Sequence, residues 1–223
     1  MIQEKIFQED VSRFFSSRRS VRKYLNTEIA SEDIMSILTS GIWAPSPGNV
    51  QPWRFIIINK KNSINRLAYL ITENLHSRRQ TAEENNCFNN VALIRASGKY
   101  ALAFKSAPLI IALVGKSYKK SPTGRLFGAF FPDKDVNTVI REEMIKCVSM
   151  AAQNMLLCIN YLGLGGCALS APIYLAGRKI SEELQIGLEE ELVLLISVGH
   201  YEKGQTEKRF SSRKKLENVV SWL

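Results

Sequence analysis

Arg18, Arg19, Ser20, Arg22 and Lys23 crowd into residues 18–23 without an acid among them. A second cluster, Lys203, Lys208, Arg209, Arg213, Lys214 and Lys215, is opposed only by Glu207. Guanidinium and ammonium groups at this density are suited to an anionic group. The remainder of the chain is balanced at 20 bases against 20 acids, so the net charge of +9 is local and not diffuse. Two basic segments far apart in sequence suit one anionic group held between them. Nucleic-acid binders instead spread charge along a face interleaved with stacking aromatics. A nucleic-acid or anionic-surface binding module is the alternative reading of the basic tail.

Other chemistry-bearing patterns fail on inspection. Gly115-Lys116-Ser117 follows an apolar run, but a phosphate loop also needs glycine at position 110, where Ile110 stands. Gly163-Leu164-Gly165-Gly166 follows a helical pattern and does not open one after a strand, which excludes a dinucleotide fingerprint. Cys87, Cys147, Cys158 and Cys167 form no C-x-x-C pair, and only His76 and His200 could join them as soft metal ligands. With no G-x-S-x-G or H-E-x-x-H motif, neither nucleophilic nor zinc catalysis has a candidate set. An enzyme built on this chain would therefore take its reactive atom from a cofactor.

The elements that must position these residues are legible in part. Ile2, Ile6, Phe7, Val11, Phe14 and Phe15 recur at mostly helical spacing, with a possible break near Asp10. Ser31, Glu32 and Asp33 make an N-cap and acidic first turn for Ile34, Ile37, Leu38 and Ile42, and Pro45 ends that helix. Runs at Arg54–Asn59, Pro108–Val114 and Leu192–Val198 read as buried strands. Ser63 is the expected cap of a helix striped by Ile64, Leu67, Ala68, Ile71 and Leu75. Residues 74–106 read as irregular or as a variable insertion, and residues 118–134 as a polar loop. Val136 to Leu162 is the longest helix, with apolar residues around much of its circumference, as in a core or a subunit interface. A short helix is expected at Leu216 to Leu223.

At 223 residues, 45% hydrophobic and 23% charged, the chain can bury a core without disulfide staples, and no linker divides it. One α+β domain over residues 1–223 is the expectation. The N-terminus lacks the apolar core of a secretory signal, and the sparse cysteines suggest a reduced, cytoplasmic setting. Cys147 to Gly177 carries no charge across 31 residues, but its asparagines, glycines and Pro172 point to a buried helix running into a glycine turn, not to a membrane span.

Three segments, taken together, resemble the FMN-dependent nitroreductase family in order and spacing. They are Ser17-Arg18-Arg19-Ser20-Val21-Arg22-Lys23-Tyr24, Ala44-Pro45-Ser46-Pro47-Gly48-Asn49-Val50-Gln51-Pro52-Trp53, and Leu162-Gly163-Leu164-Gly165. The resemblance extends through Val198-Gly199 to Arg213 and omits only residues 74–106. It implies a nitroreductase-like α+β fold, with a central, mostly antiparallel sheet flanked by helices, in a homodimer with each FMN at the subunit interface.

By that resemblance Arg18, Ser20 and Arg213 hold the FMN phosphate, with Arg19 on the ribityl side. Arg22 stands beside the pyrimidine edge, where a fixed cation stabilises reduced flavin. Pro45, Ser46, Pro47 and Asn49 match a loop that reaches the flavin of the other subunit. Ala168, Leu169, Ser170 and Ala171 match the segment against the ring, with the Ala171 N–H near N5. Many relatives carry an acid or glycine where this chain has Ser170 and Ala171, and another base where it has Ser211. The implied reaction is ping-pong: NAD(P)H reduces FMN, leaves, and an oxidised acceptor such as a nitroaromatic or quinone takes the electrons. Relatives that fragment flavin, deiodinate tyrosines or dehydrogenate azolines mark a second branch on the same fold.

Overall fold

The computed structural model describes residues 2–131, 135–176, 178–202, 204 and 212–223. Its elements are, in chain order, helices α1 (Ile2–Ser17) and α2 (Ser31–Ile42), strand β1 (Trp53–Ile58), helices α3 (Lys61–Glu84) and α4 (Phe88–Ala101), and strand β2 (Leu109–Lys116). Helices α5 (Pro122–Phe130) and α6 (Val136–Tyr161), strand β3 (Gly165–Leu169), helices α7 (Ala171–Ala176) and α8 (Arg178–Glu183), and strand β4 (Glu190–Gly199) complete the body.

Strand order is β1-β2-β4-β3, and every pairing is antiparallel. The two central strands are covered on both faces, which explains why they read as unbroken apolar runs. Side chains alternate across the sheet. Leu109, Ile111 and Leu113 of β2 face the layer of α2 and α6 with Ile37, Met144, Val148 and Met155. Ile110, Ala112 and Val114 face α3, α4 and α7 with Ile64, Leu67, Ile71 and Phe104. Each fully buried isoleucine or leucine contributes roughly 1.5–3 kcal/mol. A register shift at Leu113/Val114 bends the β2–β4 pairing.

Several expectations need correction. Residues 74–106 are not irregular: α3 continues to Glu84, and α4 packs back on it through Val91, Ile94, Gly98 and Ala101. Gly98 makes this approach possible, because a Cβ there would lie 3.1 Å from Leu75 Cδ1. The period was hidden because both helices bury only a narrow stripe and present polar side chains elsewhere. The N-cap positions of α2 and α3 belong to Ala30 and Lys60, neither with a side-chain cap bond, so Ser31 and Ser63 lie inside their helices. The loop expected at 118–134 contains α5, with Pro122 in its first turn and Ser121 Oγ accepting from Gly124 N at 3.0 Å. Helix α1 runs through Asp10 without a break, and residues 216–223 contain a 3₁₀ turn at Leu216–Asn218 instead of a helix to Leu223. Among the described residues no helix is long and apolar enough to cross a membrane.

Candidate functional site

The site grows from the end of α6. Gly163, at φ +72°, takes the left-handed cap position that favours glycine. Leu164 N donates to Ile159 O at 3.0 Å and Gly163 N to Asn160 O at 3.1 Å, closing a Schellman motif that turns the chain directly into β3. The Leu-Gly-Leu-Gly turn is thus a helix cap joined to a strand, and β3 is the element that sequence reasoning missed. Glycines at its start gave it no β signal.

Strand β3 lies at one edge of the sheet, and the basic segment occupies its free side. Ser20 forms a parallel bridge with Gly166, and Val21 N donates to Gly166 O at 3.1 Å. Leu25 N donates to His200 O at 2.8 Å. Tyr24 pins the segment from below: its hydroxyl donates to Val21 O at 2.6 Å and lies 2.7 Å from the buried Ser197 Oγ. Gly165 leaves the room this requires, because a Cβ there would lie 2.8 Å from Val21 Cβ.

This placement brings Arg18, Ser20 and Arg22 together around the Cys167 side chain. Burial pushes the Cys167 thiol up, while the Arg22 and Arg18 charges and bonds from Ser20 and Arg22 oppose that shift. Five arginines among the described residues are half-buried: Arg18, Arg19, Arg22, Arg54 and Arg79. Arg54 and Arg79 have carboxylate partners in Glu190 and Glu83, at 2.6 and 2.7 Å. Among the described residues no carboxylate pairs with Arg18, Arg19 or Arg22. Three partly buried guanidiniums thus concentrate positive charge along one edge of the sheet. Lys23 is exposed.

At the far end of β3, Ala168 and Ser170 are exposed, and Ala171 opens α7. Leu169 turns its side chain into the core, so only its backbone faces outward. Small side chains at 168, 170 and 171 leave a flat backbone surface beside the arginines.

The proline loop is elsewhere. Pro45 to Asn49 leads into β1, at the opposite edge of the sheet from β3. Ser46 Oγ accepts from Gln51 N at 3.0 Å, and a Cβ at Gly48 would meet Thr123 Oγ1 of α5. Three inter-strand steps of about 4.8 Å separate the edges by roughly 14 Å, before any connecting loop is counted. Among the described residues no hydrogen bond or ion pair joins the loop to Arg18, Arg19 or Arg22.

A family model described as the nitroreductase family matches residues 15–200. The chain belongs to that family. A stretch of 64 residues is 36% identical to a candidate NADH dehydrogenase/NAD(P)H nitroreductase of Archaeoglobus fulgidus, covering 29% of this chain and 37% of that protein. A 66-residue stretch is 36% identical to a candidate NAD(P)H nitroreductase, YdgI, of Bacillus subtilis, covering 29% and 32%. The matched stretches thus span about a third of these relatives. The fold is shared with a BluB-like flavoprotein from Clostridium difficile, at TM-score 0.78 and 23% identity over 96% of this chain and 98% of that one. It is shared also with a nitroreductase with bound FMN from Bacteroides fragilis, at TM-score 0.66 and 16% identity over 96% and 98%.

Arg213 lies on the exposed tail, and its Nη1 donates to the adjacent Ser212 O at 3.2 Å. Ser211, Lys208 and Arg209 fall outside the described residues. Three site neighbours escaped the sequence reading. Tyr100 of α4 holds its ring centroid 5.8 Å from Arg22 Cζ, Ser106 Oγ accepts from Tyr24 N at 3.3 Å, and Asn160 Nδ2 donates to Ser17 Oγ at 2.9 Å. No local signal marks them, since Tyr100 and Ser106 sit in a stretch that reads as unpatterned.

Proposed function

We propose that this nitroreductase-family chain is an FMN-dependent oxidoreductase that uses NAD(P)H to reduce an oxidised acceptor such as a quinone or nitroaromatic. The observation that carries the reading is the trio of half-buried arginines on the free edge of β3, Arg18, Arg19 and Arg22, with no carboxylate partner among the described residues. The donor set fits FMN: two guanidiniums and a hydroxyl suit a dianionic phosphate, and the small side chains at 168, 170 and 171 accept a flat ring. When bound, FMN would accept a hydride equivalent from the donor and pass electrons to the acceptor.

The chain's own contribution is binding and electrostatics. Arg18 and Ser20 grip the phosphate, joined by Arg213, and Arg19 lies on the ribityl side. Arg22 holds positive charge where reduction of a flavin deposits negative charge. The Ala168 to Ala171 backbone, with the Ala171 N–H foremost, contacts the ring.

A homodimer completes the site. The proline loop and the arginines stand at opposite sheet edges, so Pro45, Ser46, Pro47 and Asn49 serve the second copy's flavin. Exposed Met35 and Ile42 on α2, Trp43 just after it and Met150 on α6 supply an apolar face for that association. One domain spans residues 1–223, and unpaired Cys87, Cys147, Cys158 and Cys167 support a reduced, cytoplasmic setting.

The visible spectrum of purified protein tests the cofactor. A yellow, FMN-loaded protein that oxidises NADH or NADPH with a quinone, giving parallel double-reciprocal lines, is expected. Folded protein that is colourless and does not take up added FMN would overturn the reading.

A further inference from the structure

The segment 20–24 is gripped from two sides. On one side Ser20 and Val21 pair with Gly166, and the Tyr24 hydroxyl reaches Ser197. On the other, α4 and the loop after it supply Tyr100 and Ser106. Arg22 lies between these supports. Its Nη1 donates to Ser20 O at 3.4 Å, a long bond that restrains it weakly, and it has no carboxylate partner among the described residues. The Tyr100 ring, 5.8 Å from Arg22 Cζ, flanks this charge on the α4 side, while the Cys167 thiol bonds to it from β3.

Tyr100 stands off the buried stripe of α4. It is 60% exposed, whereas the buried stripe of α4 runs through Val91, Gly98 and Ala101 on another face. Leu93, seven residues earlier on the same face as Tyr100, is also exposed, at 65%. Residues 74–106 therefore lay a helix with an aromatic residue alongside the cation that the proposed reaction most needs.

We propose that Tyr100 is a positioning residue: its ring holds the Arg22 guanidinium at the cofactor edge, so that α4 tunes the reduction potential of the bound flavin. This rests on the FMN reading above and on the role given there to Arg22. A guanidinium held in place stabilises the anionic reduced ring more than the neutral oxidised one, so its positioning changes their ratio of affinities and not merely retention of the cofactor.

The test measures the midpoint potential and FMN affinity of FMN-loaded wild type, Tyr100→Leu, Tyr100→Phe and Arg22→Gln. Tyr100→Leu is expected to lower the ratio of reduced to oxidised FMN binding about twofold to fivefold, the range for an exposed cation–π contact. That corresponds to a potential more negative by roughly 10–20 mV, at about 30 mV per tenfold change for a two-electron couple. Tyr100→Phe keeps the ring and retains the wild-type potential. Arg22→Gln shifts the potential further in the same direction.

A shift in Arg22→Gln with none in Tyr100→Leu overturns the positioning role alone. Equal shifts in Tyr100→Leu and Tyr100→Phe overturn it too, by assigning the effect to the hydroxyl. An unchanged potential in Arg22→Gln removes the role of Arg22 and the inference with it. Folded protein that binds no FMN removes the FMN reading itself.

Discussion

Ser20 and Gly166 face each other across a parallel bridge on the free edge of β3, so the basic segment runs beside the strand that carries the small, solvent-facing residues Ala168 and Ser170. A strand that begins with glycines can accept this neighbour because nothing projects from its first two positions.

Phosphate recognition by that surface predicts a selective loss. Arg18→Ala should weaken FMN binding about 10- to 100-fold, the equivalent of roughly 1.5–3 kcal/mol for a charge-assisted hydrogen bond. Riboflavin, which lacks the phosphate, should bind the variant and the wild type alike. Fluorescence titration with both flavins reads the difference, and equal losses for both would remove the phosphate assignment.

The contact between Gly165 and Val21 predicts a coupling of stability to cofactor binding. Gly165→Val should cost about 1–3 kcal/mol of overpacking, lowering Tm by about 2–4 °C for each kcal/mol, and should also weaken FMN uptake by displacing Val21 and the arginines beside it. Gly41→Ala is the control, because a Cβ there meets Met155 Cε between α2 and α6, away from the arginines. It should lower Tm while FMN affinity stays unchanged.

Assembly is read by light scattering. A particle of about twice the 25.2 kDa chain mass is expected. Met150→Glu, which sets a charge in the exposed face of α6, should shift the protein toward monomer and release flavin. A wild-type monomer that still holds FMN would leave the proline loop without its proposed role.

Alkaline pH should unfold the protein partly through Tyr24. Burial pushes the Tyr24 phenol well above its ordinary value, whereas in the unfolded chain it ionises near 10. Its contribution is fully present below the unfolded pKa of about 10 and is lost as pH rises beyond that toward the higher folded value. Tyr118, pushed up to about 12 by burial, acts in the same direction. Denaturant melts between about pH 8 and 11 should show a shallower decline for Tyr24→Phe than for wild type. At neutral pH the variant should be less stable by roughly 1–3 kcal/mol, from the hydroxyl's lost partners.

The sequence by itself determined what local chemistry and periodicity encode. Arginines at 18, 19 and 22 marked a local excess of positive charge, and the apolar runs around Phe55, Ile111 and Leu195 announced strands. The stripe through Ile140, Met144, Val148 and Met155 announced the long helix, and the three ordered motifs announced the family. Only the tertiary structure decided that Pro45 to Asn49 and Arg18 to Arg22 stand at opposite edges of one sheet, because strand order depends on which faces pair and not on any local preference. Likewise, only folding brought Tyr100 to Arg22. Helix α4 is held by a narrow stripe against α3, a pattern too thin to read in sequence, and the position of its exposed face is set by packing between elements distant in the chain.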